Sequence, residues 1–249
     1  MQEKILLITG GSRGIGAATA VAAAAAGWDV AVNYTRDAAA AQAVVQQVQA
    51  LGRRAVALQA DVADEAQVLA LFAAVDAQLG RLTGLVNNAG VVDVACRVDA
   101  MSADRIQRMF AVNVFGTMAC AKQALLRMST RYGGLGGVIV NLTSAAARLG
   151  AGGNYVDYAA AKGAIDVFTL GLAREVAAEG IRVNAVRPGI IDTDIHASGG
   201  QPDRAAQMAP AVPMQRAGSA AEVAAAIVWL LSPAASYTTG AVLDVTGGR

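Results

Sequence analysis

Short apolar runs alternate along this chain with alanine-rich stretches of helical length. The runs are rich in valine, isoleucine and leucine, as in "KILLI" at 4–8 and "GVIVN" at 137–141. Strands that are apolar on both faces are typical of a parallel sheet covered by helices on either side. The pattern predicts strands at 4–8, 30–32, 55–58, 84–87, 137–141, 182–186 and 241–245. It predicts helices at 15–26, 38–50, 65–79, 103–130, 155–178 and 220–231.

The 249 residues show no linker, repeat or break in composition, so we expect one α/β domain over 1–249. Two irregular stretches interrupt the alternation. Residues 131–137 form a glycine-rich turn that leads into a strand, and residues 189–216 follow a strand and contain three prolines. A connection as long as 189–216 is often a lid over a site, which is our prediction, and a mobile surface loop is the alternative.

Composition restricts the class of protein further. An apolar share of 55% with 16% charged residues indicates a globular chain, and the net charge of +1 gives no reason to expect nucleic acid or a membrane as partner. Cys96 and Cys120 are too few for a zinc site or a disulfide framework, so we expect no metal and a reducing compartment. The apolar run near the N-terminus is too short for a signal sequence, and no uninterrupted apolar run approaches the roughly 20 residues of a membrane span. We therefore expect a cytoplasmic protein.

Polar motifs follow four of the predicted strands, each at the point where the strand ends. They are "TGGSRGIG" at 9–16, "NNAG" at 87–90, "NLTS" at 141–144 and "RPG" at 187–189. In an open sheet of parallel strands, ligands bind outside the carboxyl ends of the strands. This shared position predicts one binding site that is built from all four motifs.

The first motif, at 9–16, has the chemistry of a phosphate-binding turn. Glycines allow the backbone to approach an anion, and the helix that begins near Gly14 offers unpaired N–H groups and a positive dipole end. The spacing is neither the G-x-G-x-x-G fingerprint nor a P-loop. A glycine-rich turn without a ligand therefore stays open as the alternative.

The end of the second strand bears on which dinucleotide would bind. An NAD site usually has a carboxylate about 20 residues after the glycines, whereas this strand ends in "VAVNYTR" at 30–36. Arg36, together with Arg13 in the glycine loop, could bind a 2′-phosphate, and this favours NADP(H). Two ordinary surface arginines are the alternative, and Asp29 and Asp37 keep NAD(H) open.

One predicted helix carries a tyrosine and a lysine at a reactive spacing. Tyr158 and Lys162 are four residues apart, which places both on one face, one turn of about 5.4 Å apart. An ammonium about 5 Å from a phenol stabilises the phenolate by roughly 3 kcal/mol, or about two pKa units. We therefore predict that Lys162 lowers the pKa of Tyr158 and that Tyr158 transfers a proton. A purely structural pair is the alternative, and Tyr155, seven residues before Lys162, is expected to be a pocket wall.

Taken in order, these motifs resemble the short-chain dehydrogenase/reductase family. The resemblance adds "DV" at 61–62, Asn113, Ser144, "YAAAK" at 158–162 and the closing "TGAVLDVTGG" at 239–248, and it spans nearly the whole chain. It implies a single Rossmann-type domain, a three-layer αβα sandwich with a seven-stranded parallel sheet. A basic residue at the position of Arg13 is typical of the members that prefer NADP(H).

The resemblance implies a catalytic group with distinct roles. Tyr158 would be the acid or base, and Lys162 would tune it and hold the nicotinamide ribose. Ser144 would orient the substrate oxygen, and Asn113 would position a water in a proton relay to Lys162. A turn-capping Ser144 and a merely packed Asn113 are the alternatives.

The binding residues follow from the same motifs. The expected cofactor-binding residues are Gly10, Ser12, Arg13, Gly14, Ile15, Gly16, Asn33, Tyr34, Arg36, Asp61, Val62, Asn87, Ala89, Gly90, Tyr158, Lys162, Pro188, Gly189, Ile191 and Thr193. The expected substrate-binding residues are Ser144, Tyr155, Tyr158 and His196. His196 has no carboxylate at triad spacing and no metal partner, and a loop residue that does not contact substrate is the alternative.

The expected function is an NADP(H)-dependent oxidoreductase that acts on a small-molecule carbonyl or alcohol. The substrate stays open between a 3-oxoacyl-carrier-protein and a sugar of the glucose type, and a non-catalytic dinucleotide-binding sensor is the alternative of another class. The apolar helices at 103–130 and 155–178 predict a homotetramer, or a homodimer, because they are apolar on more than one face.

Overall fold

The chain folds around one seven-stranded sheet, in a computed structural model that describes residues 3–249 apart from the side chain of His196. The strands are β1 (Ile5–Ile8), β2 (Asp29–Tyr34), β3 (Ala55–Gln59), β4 (Gly84–Asn87), β5 (Gly137–Leu142), β6 (Ile181–Pro188) and β7 (Val242–Val245). Their order is β3-β2-β1-β4-β5-β6-β7, and every pairing is parallel. The predicted Rossmann-type parallel sheet is confirmed.

Helices cover both faces of the sheet. They are α1 (Gly14–Ala25), α2 (Ala38–Ala50), α3 (Glu65–Gln78), α4 (Ala103–Phe110), α5 (Gly116–Met128), α6 (Ala146–Leu149), α7 (Val156–Val176), α8 (Ile195–Ser198), α9 (Arg204–Met208) and α10 (Ala220–Leu231). Alternate residues of β1 belong to two separate core clusters. Leu6 and Ile8 pack with α1, α2 and α10, whereas Ile5 and Leu7 pack with α3, α5 and α7. The three-layer arrangement follows from this alternation.

Side-chain caps fix the starts of several helices. Asp37 accepts a hydrogen bond from the Ala40 amide at the start of α2, and Asp64 accepts from two amides at the start of α3. Ser219 and Glu222 form a reciprocal capping box at α10. Each cap satisfies amide groups that have no partner within the helix.

The predicted helix at 103–130 is interrupted by a π-helical segment, Ala111–Phe115, between α4 and α5. By length and composition alone, the stretch Ala103–Met128 could cross a membrane, and half of its apolar window is buried within the fold. Ala124 and Met128 at its C-terminal end lie in the core beneath the sheet, so we interpret it as a core helix. The π-helical turn places Asn113 on the side that faces the sheet edge, as described below.

The carboxyl ends of the strands lie along one edge of the sheet. Ile8 of β1 pairs with both Val32 and Val86, and Asn87 of β4 pairs with Asn141 of β5. The four polar motifs therefore meet at this edge, as their positions after strands predict. The predicted lid at 189–216 also starts here, and it contains α8, α9 and a short turn at Ala209–Ala211.

Candidate active site

The glycine loop is held against the end of β4 by Thr9 and Asn88. The Asn88 side-chain amide donates to the carbonyl oxygens of Thr9 at 2.9 Å and Gly10 at 2.8 Å. The Thr9 hydroxyl accepts from the backbone amides of Asn88 and Ala89, each at 3.0 Å. Neither Thr9 nor Asn88 is among the predicted site residues. Their positions within the motifs at 9–16 and 87–90 are the sequence feature that could have identified them.

Close approach of the backbone explains two of the glycines. Gly10 has a positive φ of 60°, and a Cβ atom on Gly16 would lie 2.5 Å from the Gly10 carbonyl oxygen. Arg13 precedes α1 in an extended conformation, and its side chain does not cap this helix. Since the first N–H groups of a helix lack partners within it, the start of α1 has the chemistry to bind an anion.

Asn33 supports the glycine loop from inside the protein. Its Oδ1 accepts from the Gly10 amide at 3.1 Å, and its Nδ2 donates to the carbonyl oxygens of Ala60 at 3.0 Å and Leu58 at 3.3 Å. The side chain is buried, and these bonds occupy both amide protons. The structure therefore places Asn33 beneath the loop, where it shapes the cofactor site without presenting its amide to a ribose.

Two arginines at the cofactor edge are free. Arg13 and Arg36 are exposed, and neither guanidinium group forms a hydrogen bond or an ion pair with the residues that the structure describes. Tyr34 is half-buried at the end of β2, between them in sequence. Two unpaired guanidinium groups beside the glycine loop retain their full capacity to bind a phosphate.

The two carboxylates that would read a ribose in NAD(H) are engaged elsewhere. Asp37 caps α2, with its Oδ1 2.9 Å from the Ala40 amide. Asp29 begins β2 at the opposite edge of the sheet, where it pairs with Arg53 and Arg54 at 2.7 Å each. The expectation that Asp29 keeps NAD(H) open is wrong, because a strand of six residues separates it from the site by about 17 Å.

The turn after β3 is fixed by Asp61 and Val62. The Asp61 carboxylate accepts from the Ala63 amide at 2.9 Å, and its backbone amide donates to Gln67. Val62 is buried against Gly116 at the start of α5, where a Cβ would lie 2.7 Å from Val62 Cγ2. This contact joins the turn after β3, a predicted part of the cofactor site, to the helix that follows Asn113.

Asn87 points into the core. Its Nδ2 donates to Asn141 Oδ1 at 2.9 Å and to the Thr117 carbonyl oxygen at 3.3 Å, and Asn141 donates in turn to Thr169. The predicted contact of Asn87 with a cofactor could thus involve its backbone but not this amide. The buried chain of amides connects β4, β5 and α7 beneath the site.

Asn113 and Lys162 converge on Gly90. A Cβ atom at Gly90 would lie 2.8 Å from Asn113 Oδ1 and 3.5 Å from Lys162 Nζ, so only glycine fits. Asn113 donates to the carbonyl oxygens of Val91 and Met109 at 3.0 Å each, and it accepts from the Val91 amide at 3.1 Å. Both amide protons are used, so a water at Asn113 would be bound through an oxygen lone pair.

Lys162 is buried, with 4% of the residue exposed, and its ammonium donates to the Leu142 carbonyl oxygen at 2.8 Å. Burial lowers the pKa of Lys162 to about 8, and the negative charge of Asp166 acts in the opposite direction. The Nζ atom lies 5.7 Å from the centre of the Tyr158 ring. The predicted pair is therefore adjacent in space.

Tyr158 differs from the prediction in its titration. Burial raises the pKa of Tyr158 above 10.0, and the Ser144 side chain, acting through a hydrogen bond, lowers it by a smaller amount. The prediction that the pKa of Tyr158 lies below its ordinary value is wrong for the protein without cofactor, because burial outweighs the interactions that lower it. The physical reason is that burial disfavours the charged form of both groups, which a separation read from the sequence does not capture. Ser144 also accepts from the Ala146 amide at 3.1 Å, so it stabilises a turn as well.

The segment after β6 lies across the site. The Pro188 carbonyl oxygen accepts from the Ala145 amide at 2.9 Å, which joins this segment to the turn after Ser144. A Cβ at Gly14 would lie 3.4 Å from Thr193 Cγ2, so Thr193 packs beside the glycine loop. Ile191 is buried and packs in the core with α10. Of these predicted cofactor residues, Thr193 lies directly against the loop.

The predicted lid at 189–216 contacts the start of α7. Tyr155 precedes this helix and is 6% exposed, and the Arg204 guanidinium of α9 lies 5.0 Å from the centre of its ring. Arg204 also donates to Gln201 at 2.7 Å. Tyr155 as a pocket wall stays a prediction, and Arg204 is not among the predicted site residues. The side chain of His196 is outside the described part of the structure.

A further contact, next to Tyr158, joins α4 to the start of α7. Arg105 of α4 donates from Nε to Asp157 Oδ2 at 2.8 Å and from Nη1 to the Val94 carbonyl oxygen at 2.5 Å. The hydrogen bond with Asp157 raises the pKa of Arg105. This buried pair joins the loop after β4 to the first turn of α7. The sequence offers no signal for it, since the two residues are 52 positions apart.

The described part of the chain shows no cluster of metal-binding side chains. Residues 3–249, without the His196 side chain, contain no group of three or more His, Cys, Asp or Glu residues that could hold a metal ion. The arrangement found here can bind a dinucleotide at the glycine loop and transfer a proton near Tyr158.

Comparison with known proteins gives consistent matches over nearly the full length. Residues 10–249 match a family model described as enoyl-(acyl carrier protein) reductase. The oxidoreductase YgfF of Escherichia coli (strain K12) is 54% identical over 245 residues, which cover 98% of this chain and 99% of that protein. A 3-oxoacyl-[acyl-carrier-protein] reductase of Synechocystis sp. is 38% identical, and the match covers 100% of this chain and 97% of that protein.

The fold also matches solved structures. A short chain dehydrogenase from Burkholderia cenocepacia J2315, in complex with NADP, superposes with a TM-score of 0.89 at 38% identity. The match covers 99% of this chain and 98% of that chain.

Proposed function

Since the chain belongs to the short-chain dehydrogenase/reductase family, we propose that it interconverts a secondary alcohol and a ketone by hydride transfer with NADP(H). One observation carries this proposal. Asn113 and Lys162 converge at Gly90, next to Tyr158 and Ser144, at the edge where the glycine loop lies. A protein that only senses a dinucleotide has no need for such a group of proton-transferring side chains.

The cofactor fits the residues that are present. Gly10 and Gly16 allow the close approach of a pyrophosphate, and the uncapped start of α1 has the dipole to bind it. Arg13 and Arg36 have free guanidinium groups for a 2′-phosphate, while Asp37 is occupied as a helix cap. The NADP in the Burkholderia structure supports the same choice.

The proposed chemistry assigns one task to each side chain. NADPH, when bound, supplies the hydride. Ser144 orients the substrate oxygen by a hydrogen bond, and Tyr158 donates the proton to that oxygen in reduction and accepts it in oxidation. The raised pKa of Tyr158 keeps the phenol protonated at neutral pH, which suits a proton donor. Lys162 holds the nicotinamide ribose and favours the phenolate once the proton has left.

The substrate class has two candidates within this reaction. The relative in Synechocystis favours a 3-oxoacyl thioester as substrate. A sugar of the glucose type is the second candidate, because the sequence motifs are compatible with it as well. Tyr155 and Arg204 form one wall of the substrate side, beneath the lid at 189–216. A screen of NADPH oxidation with ketones and ketoacyl thioesters, and of NADP reduction with sugars and alcohols, would identify the class.

Tyr158→Phe tests the reaction itself. The variant keeps the ring but removes the transferable proton, so kcat should fall by about three orders of magnitude or more while cofactor still binds. Tyr155→Phe is the matched control on the same helix start, and it should keep kcat within about tenfold. A Tyr158→Phe enzyme that turns over within about tenfold of wild type would contradict the proposed role.

Assembly and location are part of the proposal. Exposed apolar side chains lie on both long helices, Met118 and Leu126 on α5 and Val167 and Leu170 on α7. Such a surface supports a homotetramer, or a homodimer, in which these helices pack against a second copy. We place the assembly in the cytoplasm, in keeping with two cysteines that form no disulfide.

A further inference from the structure

A line of four charged side chains begins one helical turn beyond Lys162. Asp166 follows Lys162 by four residues on α7, and its Oδ2 accepts from Arg187 Nη2 at 2.7 Å. Arg187 Nη1 donates to Asp244 Oδ1 at 2.8 Å, and Asp244 Oδ2 accepts from Arg148 at 2.5 Å. The line thus runs from the proposed catalytic lysine through β6 and β7 to α6.

The inner pair of this line, Asp166 and Arg187, is mostly buried and incompletely hydrogen-bonded. The side chain of Arg187 is 12% exposed and that of Asp166 is 18% exposed. Arg187 Nε and Asp166 Oδ1 are buried atoms without a hydrogen-bond partner among the described residues. A buried ion pair with unused hydrogen-bonding capacity contributes little net stability. Stability alone therefore does not account for a carboxylate at this position.

The surroundings of the Lys162 ammonium give Asp166 a specific task. From α7, the ammonium is faced by the Tyr158 phenol and by Asp166, and from the π-helical segment by the neutral amide of Asn113. From β5 it is faced by the carbonyl oxygen of Leu142. Within the described part of the chain, Asp166 is the carboxylate that interacts with this ammonium.

We propose that Asp166, held in place by Arg187, is a positioning residue of the site, and that its carboxylate supplies the negative charge that keeps the buried Lys162 an ammonium. Arg187 has a second effect, because it directly precedes Pro188 and Gly189 and joins their strand to α7. The catalytic consequence rests on the proposed function, whereas the effect on Lys162 does not.

The direction in which the Lys162 pKa should move without Asp166 follows from the burial of this lysine. Burial lowers its pKa to about 8, and Asp166 opposes that shift. Without the carboxylate, Lys162 would lose its proton at a lower pH. A neutral amine would no longer favour the phenolate of Tyr158, so activity should decline at a lower pH as well.

The test observes Lys162 directly. The chain has three lysines, Lys4, Lys122 and Lys162, so carbon-13 labelling of lysine side chains gives a simple NMR spectrum. The Lys162 signal is identified by its loss in Lys162→Arg. In Asp166→Asn the titration midpoint of Lys162 should fall by roughly one pH unit. Asp244→Asn is the matched control, since it removes the other carboxylate bound to Arg187, and it should shift the midpoint by less than about 0.3 unit.

Two outcomes would overturn the proposal. They are an unchanged Lys162 midpoint in Asp166→Asn, and an equal shift in Asp166→Asn and Asp244→Asn. If Asp166→Asn does not fold because Arg187 is left with one partner, Asp166→Asn combined with Arg187→Gln removes both charges, and a smaller fall in the same direction is expected because the lost guanidinium no longer opposes the ammonium. The titration needs no turnover, so it separates this proposal from the proposed function, which Tyr158→Phe tests.

Discussion

The side chain of Asn113 and the backbone of Val91 exchange two hydrogen bonds, 3.0 Å from Nδ2 to the Val91 carbonyl oxygen and 3.1 Å from the Val91 amide to Oδ1. This exchange fastens the loop after β4 to the π-helical segment. Asn113 is fully buried, so its own side-chain groups depend on these hydrogen bonds and not on solvent.

Replacing Asn113 by Ala should therefore affect both stability and the site. Two backbone groups of Val91 would lose their partner, and we expect the free energy of unfolding to fall by roughly 2–4 kcal/mol. Urea unfolding measures this change. Asn154→Ala is the control, since the Asn154 side chain is exposed and its hydrogen bond among the described residues is a local one to the Gly152 carbonyl, and its effect should stay within about 0.5 kcal/mol. If the free energy of unfolding falls by less than about 1 kcal/mol in Asn113→Ala, the two hydrogen bonds with Val91 contribute little to stability.

Cofactor choice should depend on the two free arginines. A charge-assisted hydrogen bond contributes roughly 1.5–3 kcal/mol, so Arg13 and Arg36 together should favour NADPH over NADH by at least about a hundredfold in kcat/KM. Tyr34→Asp combined with Arg13→Ala should reverse the preference, because the new carboxylate can bond a free ribose hydroxyl and repels a phosphate.

The control for that experiment is Arg174→Ala. Arg174 is also exposed and unpaired among the described residues, but it lies near the far end of α7. Its removal should leave the ratio of kcat/KM for NADPH to kcat/KM for NADH unchanged. A wild-type enzyme with equal or greater kcat/KM for NADH would mean that backbone groups or Asp37 read the ribose, and our interpretation of residues 30–36 would be wrong.

Lys162 should make the stability of the protein depend on pH. Its pKa is about 8 in the folded protein, below the ordinary 10.5, so the unfolded chain holds more protons between these values. Stability therefore rises with pH through this interval, and it is reduced by about 3 kcal/mol below pH 8. Urea unfolding of wild type and Lys162→Met without cofactor should show the wild type gaining stability relative to the variant from about pH 8 to about pH 10. A constant difference across this range would exclude a depressed lysine pKa.

The apolar face of α7 should pack against another copy. Val167 is 73% exposed, which is unusual for valine within a long helix. Light scattering at micromolar concentration should give a multiple of the 25.1 kDa chain mass, most simply four. Val167→Asp should lower that mass, and Leu51→Asp, at an exposed position after α2, should not. A wild-type monomer would refute the assembly.

The architecture and the location of the site follow from the sequence pattern. Short, β-branched apolar runs that alternate with helical stretches are typical of buried parallel strands, and the carboxyl ends of parallel strands share one edge. The order of the motifs at 9–16, 87–90 and 141–144 then places them together, whatever the details of packing. The spacing of Tyr158 and Lys162 needs only helix geometry, which is local.

Contacts between segments that are distant in sequence set the direction of each polar side chain and the effect of its environment on its charge. Asn33, Asn87 and Asn88 look alike in sequence, yet the first two bond inward to neighbouring strands and the third holds the glycine loop. Their partners lie 27, 54 and 78 residues away, and only strand register brings them near. The raised pKa of Tyr158 has the same origin, because burial is the sum of contacts from many segments and no local spacing contains it.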